Sequence, residues 1–198
     1  MQDFRSKVRE YYKPYYKEGD KAHLINHADD VCDLALRINK KLDEKLVILA
    51  SYMHDMFNAK NRAIHNELAY TYVMNENDTF ISELSAQERN MVAHAVLEHR
   101  ANFKGEFYSA LSEIISSADR GLPDLDFIVT RSMQFNHADA NDVYDHIKDK
   151  YGTKGYAKYP KVYQEIFSEE LKAFHKRADR LSIDEILEIW EKDKKCKD

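Results

Sequence analysis

Glycine and proline are scarce, 5 and 3 among 198 residues, which leaves few sites for sharp turns and argues against a fold of many short strands. Cysteine is scarcer still. Cys32 and Cys196 permit neither a disulfide framework nor a CxxC site, so a reduced, cytoplasmic protein is expected. No window approaches the ~18 consecutive apolar residues of a membrane span, and the opening MQDFRSKVRE lacks the apolar heart of a signal peptide. An excess of basic charge is missing too. The formal net charge is −5, whereas nonspecific duplex binding runs on phosphate neutralisation by Lys and Arg, so no stable duplex nucleic-acid partner is expected. A local basic rim facing a small anion is compatible with that total.

What is present is helical pattern. Long, strongly charged stretches carry apolar residues three and four apart, which predicts an all-α fold, and the length suits one compact domain. A first helix is expected to end near Pro14, because the residue before proline disfavours helical geometry, and Gly19-Asp20 then reads as a turn. Leu24, Ala28, Val31, Ala35 and Ile38 define an amphipathic helix from about His23 to Lys40. Asp43 is a credible N-cap for the next, whose Leu46, Ile48, Leu49, Ala50 and Met53 look buried nearly all round before it ends at 54–58. A further helix begins near His65. Ser85 and Glu88 form a capping box opening a helix to about His99, and a helix from roughly Phe107 delivers Asp119 just before Gly121 and Pro123 stop it. Helices near 124–135 and 139–150, a loop at Tyr151–Tyr156, and a last helix behind a second capping box at Ser182–Glu185 complete the pattern. The 13 tyrosines cluster near the N-terminus and between Tyr151 and Tyr163, where packing against a helical core accounts for them.

The nine histidines are unevenly placed: His23, His27, His54, His65 and His94 lie in the first half, with His99 at its very end. A metal site needs neutral imidazole and ionised carboxylate at fixed positions, and each ligand can come from a different helix of a bundle. Neighbours at a helix terminus, such as His54 and Asp55, can both reach one ion because the helix end relaxes their angular separation. A carboxylate there can also bridge two ions through its two oxygens. A lone His-Asp pair decides nothing in a chain with this many of each. The ordered set is more specific: His27 in an amphipathic helix, His54-Asp55 at the end of the next, Asp119 after an apolar helix.

In DKAHLINHADDV from Asp20 to Val31, LASYMHD from Leu49 to Asp55, and SADR from Ser117 to Arg120, the chain resembles the HD domain superfamily of metal-dependent phosphohydrolases. The resemblance covers about residues 20–135 and implies a single HD-type domain over 1–198, an all-α helical bundle with a helical C-terminal elaboration over about 136–198. It implies His27, His54, Asp55 and Asp119 as ligands of a first divalent metal. Binuclear branches add two histidines between the HD pair and the last Asp; His65 and His99 match that placement, with His94 competing. One or two ions of Mn, Fe, Ni, Co, Zn or Mg are implied, since mixed His and carboxylate ligation suits these better than Ca. The chain departs from nucleotidase branches, which often place a catalytic Glu shortly after the HD pair, where Asn58 stands here. His94 and His99 are five apart, about 140° around a helix, so both cannot easily bind one ion.

The activity implied is hydrolysis of a phosphate ester or anhydride of a small phosphorylated substrate, a nucleotide by resemblance. A metal would activate water, Asp55 would position or bridge, and a nearby histidine, His94, would assist the leaving group. Arg62 and Arg120 are the cations chosen for phosphate recognition, with His23 lining the pocket. Two alternatives stand beside this: a metal- and nucleotide-binding module without turnover, and a di-iron oxygenase on the same scaffold. Nothing in the residues names a base or sets an oligomeric state, and a homo-oligomer is compatible with them. His137, His146 and His175 are expected at the surface.

Overall fold

The structure, a computed structural model, describes residues 2–17, 23–75, 78–135 and 139–197. The turn expected at Gly19-Asp20 and the surface position expected for His137 lie outside the described residues, as does the side chain of Cys196. Among the described residues the architecture is all-α, with no strand. By contacts the chain divides into two compact units, Met1–Gly121 with Pro160–Tyr163, and Leu122–Tyr159 with Gln164–Asp198.

The first unit holds α1 (Gln2–Tyr12), a 3-10 turn (Lys13–Tyr16), α2 (Ile25–Ile38), α3 (Glu44–Met53), α4 (His65–Asn75), α5 (Ala86–Glu98) and α6 (Ala110–Asp119). Pro14 opens the 3-10 turn after α1, where its missing N–H costs nothing. Asp43 caps α3 by accepting from the Lys45 N–H at 2.9 Å. Every residue of α3 from Leu46 to Met53 is buried, so this helix forms the axis of the unit, with α1, α2, α5 and α6 packed on it. α4 lies against α5, and α2 against α6.

α1 is tied down by a polar lattice. Arg9 makes a forked pair with Asp29 of α2 at 2.8 and 2.9 Å, and the Tyr52 hydroxyl of α3 donates to the same carboxylate at 2.7 Å. The N-terminal tyrosines pack as expected, and the hydroxyls of the two buried ones are satisfied. Buried Tyr12 donates to Asp78 at 2.7 Å, and buried Tyr16 donates to the Tyr52 carbonyl at 2.9 Å.

The second unit carries α7 (Leu125–Phe135), α8 (Ala140–Tyr151), α10 (Ser168–Arg180) and α11 (Ile183–Lys197), while α9 (Lys161–Ile166) runs from one unit into the other. α7, α8, α10 and α11 pack on one another. Neither α9 nor α10 is announced by a start signal; the residue before α10 is Phe167, which offers no side-chain cap. His146 and His175 are half-buried rather than on the surface, and the His175 Nδ1–H donates to the Tyr151 carbonyl at 2.8 Å.

Candidate metal centre

The site grows from helix ends. α3 stops at Met53 and tightens into three-residue turns, with the Asn58 N–H on the Asp55 carbonyl at 2.9 Å and the Lys60 N–H on the Phe57 carbonyl at 3.1 Å. His54 and Asp55 stand side by side at this helix end, and His54 Nε2 and Asp55 Oδ2 come within 3.5 Å of each other. The capping box of Ser85 and Glu88 opens α5 and His99 closes it. α6 ends at Asp119 because Gly121 adopts a positive φ of 68° and sends its N–H back to the Ala118 carbonyl at 2.9 Å.

The side chains meet around Asp55, whose two oxygens face different groups. Oδ2 lies 3.5 Å from His54 Nε2 and 3.7 Å from His27 Nε2. Oδ1 lies 3.0 Å from His65 Nε2 and 3.5 Å from His99 Nε2. Asp119 Oδ1 completes the first side, 3.1 Å from His27 Nε2 and 3.6 Å from His54 Nε2. Potential ligand atoms therefore gather into two groups sharing one carboxylate: His27, His54 and Asp55, and Asp55, His65 and His99. Either could hold a metal ion.

The hydrogen bonding around the rings decides how well an ion fits. His54, His65 and His99 each direct Nδ1 at a backbone carbonyl, of Ser51 (2.7 Å), Arg62 (2.9 Å) and Val96 (2.7 Å). A carbonyl only accepts, so each Nδ1 carries the hydrogen, and each ring, when neutral, presents a bare Nε2 lone pair to the centre. Yet His54 Nε2 lies 3.4 Å from His27 Nε2, and His65 Nε2 lies 3.1 Å from His99 Nε2. Lone pairs and carboxylates converging in a buried space repel unless a cation sits among them. A backbone carbonyl accepting the far ring N–H is the pattern that fixes metal-ligating histidines.

The electrostatics make the same demand. Burial opposes charge on Asp55, but the field of His54 and the close approach of the His65 and His99 rings outweigh it and hold the carboxyl well below its usual range. Burial of Asp119 is likewise overcome by its hydrogen bond with His27 and the nearby His54 ring. Burial pushes His54 down, and Asp55 and Asp119 more than reverse this, lifting it to about 9. His99 is lowered by burial. Without a metal, then, a proton on His54 supplies positive charge between the two carboxylates.

The remaining expected residues stand outside this group. The His23 ring meets that of His27 edge-on, centroids 5.6 Å apart. His94 pairs through Nδ1 with Glu98 at 3.0 Å and stacks on Tyr108 with centroids 4.0 Å apart. Arg62 is exposed, while Arg120 donates to Ser116 and toward the His99 carbonyl. Asn58, where a catalytic Glu stands in nucleotidase branches, is buried with 7% of its surface exposed. Residues that the pattern did not single out are Ser116 and Glu98. The latter is a buried carboxylate that also accepts the Tyr108 N–H at 2.9 Å. The available signal was its place four residues after His94, on the same helical face.

The HD domain family model matches residues 22–132, more than half of the chain. An all-α bundle with an HD pair at a buried convergence of histidines and carboxylates is what that match leads one to expect, and the chain belongs to the HD domain family. No curated protein and no solved structure matches it. None of its described helices is long and apolar enough to cross a membrane.

Proposed function

We propose that this chain is a metal-dependent phosphohydrolase acting on a phosphate ester or anhydride of a nucleotide, as a single HD-type domain whose residues beyond about 136 elaborate the core. The observation that carries the reading is Asp55, buried between two sets of imidazole nitrogens with one oxygen directed at each. The donor set fits one or two ions of Mn, Fe, Ni, Co, Zn or Mg: His27, His54, Asp55 and Asp119 would hold one, and Asp55, His65 and His99 a second. Such an ion lowers the pKa of water toward neutrality and polarises a phosphoryl oxygen.

The protein's own groups do the rest. Asp55 fixes the spacing of the two sides, and the carbonyls of Ser51, Arg62 and Val96 hold three rings in the ligating tautomer. His94, its Nδ1–H directed at Glu98, keeps Nε2 as the atom that can hold or deliver a proton to a leaving oxygen. Arg62 and His23 are the proposed substrate contacts, and the small phosphorylated substrate is the expected partner; Arg120, expected beside them, directs its Nη1 at Ser116 and the His99 carbonyl.

Hydrolysis is to be measured over nucleoside mono-, di- and triphosphates, cyclic nucleotides and guanosine tetraphosphate with Mn, Co, Ni or Mg, beside His54→Ala and Asp55→Ala. Turnover lost in both variants supports the proposal and names the substrate class. Stoichiometric metal without turnover moves the assignment to a binding module, and an iron pair with oxygen consumption moves it to an oxygenase. Absence of bound metal removes the centre.

A further inference from the structure

Arg120 is the residue whose surroundings least suit its expected role. It follows Asp119 directly, and a guanidinium beside a metal centre invites assignment to substrate phosphate. Its Nη1 is turned instead toward protein oxygens. It donates to the Ser116 carbonyl and to the Ser116 hydroxyl at 2.8 Å, with the His99 carbonyl at 3.4 Å. The Ser116 hydroxyl has a single hydrogen, and it donates this to the same His99 carbonyl at 3.0 Å. The direction of the chain is thereby settled: Arg120 to Ser116 Oγ to His99 oxygen, each donor polarising the next.

The two ends of that chain belong to different ligand-bearing elements. His99 closes α5, where the last carbonyls lack helical partners and the helix dipole favours a cation. Ser116, Asp119 and Arg120 lie on the last turn of α6 and at its cap. Ser116 is fully buried. The His99 ring is itself held by its Nδ1–H on Val96, one turn earlier, so its Nε2 position follows the backbone that Arg120 and Ser116 grip.

We propose that Arg120 and Ser116 are positioning residues that clamp the α6 end carrying Asp119 to the α5 end carrying His99, and so hold the two sides of the centre at the spacing a metal pair requires. The metal half of this statement rests on the proposed function; the clamp does not. Arg120 acts through His99 and Asp119 rather than by contact with substrate.

The test uses Arg120→Gln, Arg120→Lys and Ser116→Ala in the full chain, with two readouts. In metal-free protein, hydrogen–deuterium exchange over residues 96–103 is expected to accelerate in Arg120→Gln and Ser116→Ala, and less in Arg120→Lys. Unchanged exchange in both of the first two variants overturns the clamp, whatever the metal does. Titration with Co2+, followed by its visible absorption, is expected to show about tenfold weaker binding in those two variants, the scale at which lost outer contacts weaken metal sites. Arg120→Lys should recover part of it, and KM for a hydrolysed nucleotide should stay near the wild-type value. A KM raised tenfold in Arg120→Gln with Co2+ affinity unaltered would return Arg120 to substrate phosphate and overturn the proposal. A wild-type chain that binds no Co2+ strikes the metal reading alone, because the exchange measurement still judges the clamp.

Discussion

His54 sits with its Nε2 3.5 Å from one carboxylate and 3.6 Å from another, and this proximity keeps it protonated in the metal-free protein up to about pH 9. A metal can take that nitrogen only by displacing the proton. Both carboxylates are already ionised at neutral pH, and burial keeps His99 from gaining charge, so His54 is the principal source of the released proton among them. Mn2+ binding is therefore expected to release about one proton at pH 7 and to tighten about tenfold per pH unit until pH about 9. Calorimetry in buffers of different ionisation enthalpy measures the proton directly; pH-independent binding would contradict the assignment of His54. The sign for stability is opposite. A raised folded-state value stabilises the metal-free fold below 6.5, and that contribution is lost as pH rises through about 9. Glu98 offers a second expectation at this scale. Replacing it by Ala strands the His94 Nδ1–H and the buried side of the Tyr108 N–H, which should cost about 1–3 kcal/mol in chemical denaturation at unchanged m-value.

At the scale of elements, the centre depends on where helices stop. Gly121 supplies the left-handed residue that ends α6 just after Asp119, with nothing within 4 Å of where a Cβ would stand. Gly121→Ala should therefore act through the backbone alone, costing about 1 kcal/mol without a steric clash. Urea midpoints of the two proteins test this, and a much larger loss would mean that the helix end had been rebuilt. Most helix boundaries were legible because their signals are local: Asp43 and Ser85 cap where expected, and Pro14 begins a tighter turn. α9 and α10 were not, because α9 is only six residues long and Phe167 provides no cap before α10. The ordered His27, His54-Asp55 and Asp119 set could be read as a string. The choice among His65, His94 and His99 could not, because it turns on which face of α5 meets α4.

For the whole molecule, the binding of an ion to the folded state alone adds stability by mass action, about 2.7 kcal/mol at a hundred times Kd. Stripping metal with a chelator should lower Tm, and returning Mn2+ or Co2+ should restore it. The same treatment of an Asp55→Ala variant should leave Tm unchanged, since that residue is common to both ligand groups. A chelator-insensitive wild-type Tm, with metal demonstrably removed, would place the ion outside the centre. Composition, helical periodicity and capping residues, which act over a few neighbours, determined by themselves that this chain is all-α; the ordered His27, His54-Asp55 and Asp119 set was legible in the sequence through its resemblance to the HD family. Tertiary structure alone decided that Asp55 divides its oxygens between two groups, that His94 turns to Glu98, and that Arg120 faces Ser116 and His99. The spacing of a sequence fixes which residues share a helix face; only the packing of one helix end against another fixes which of them meet.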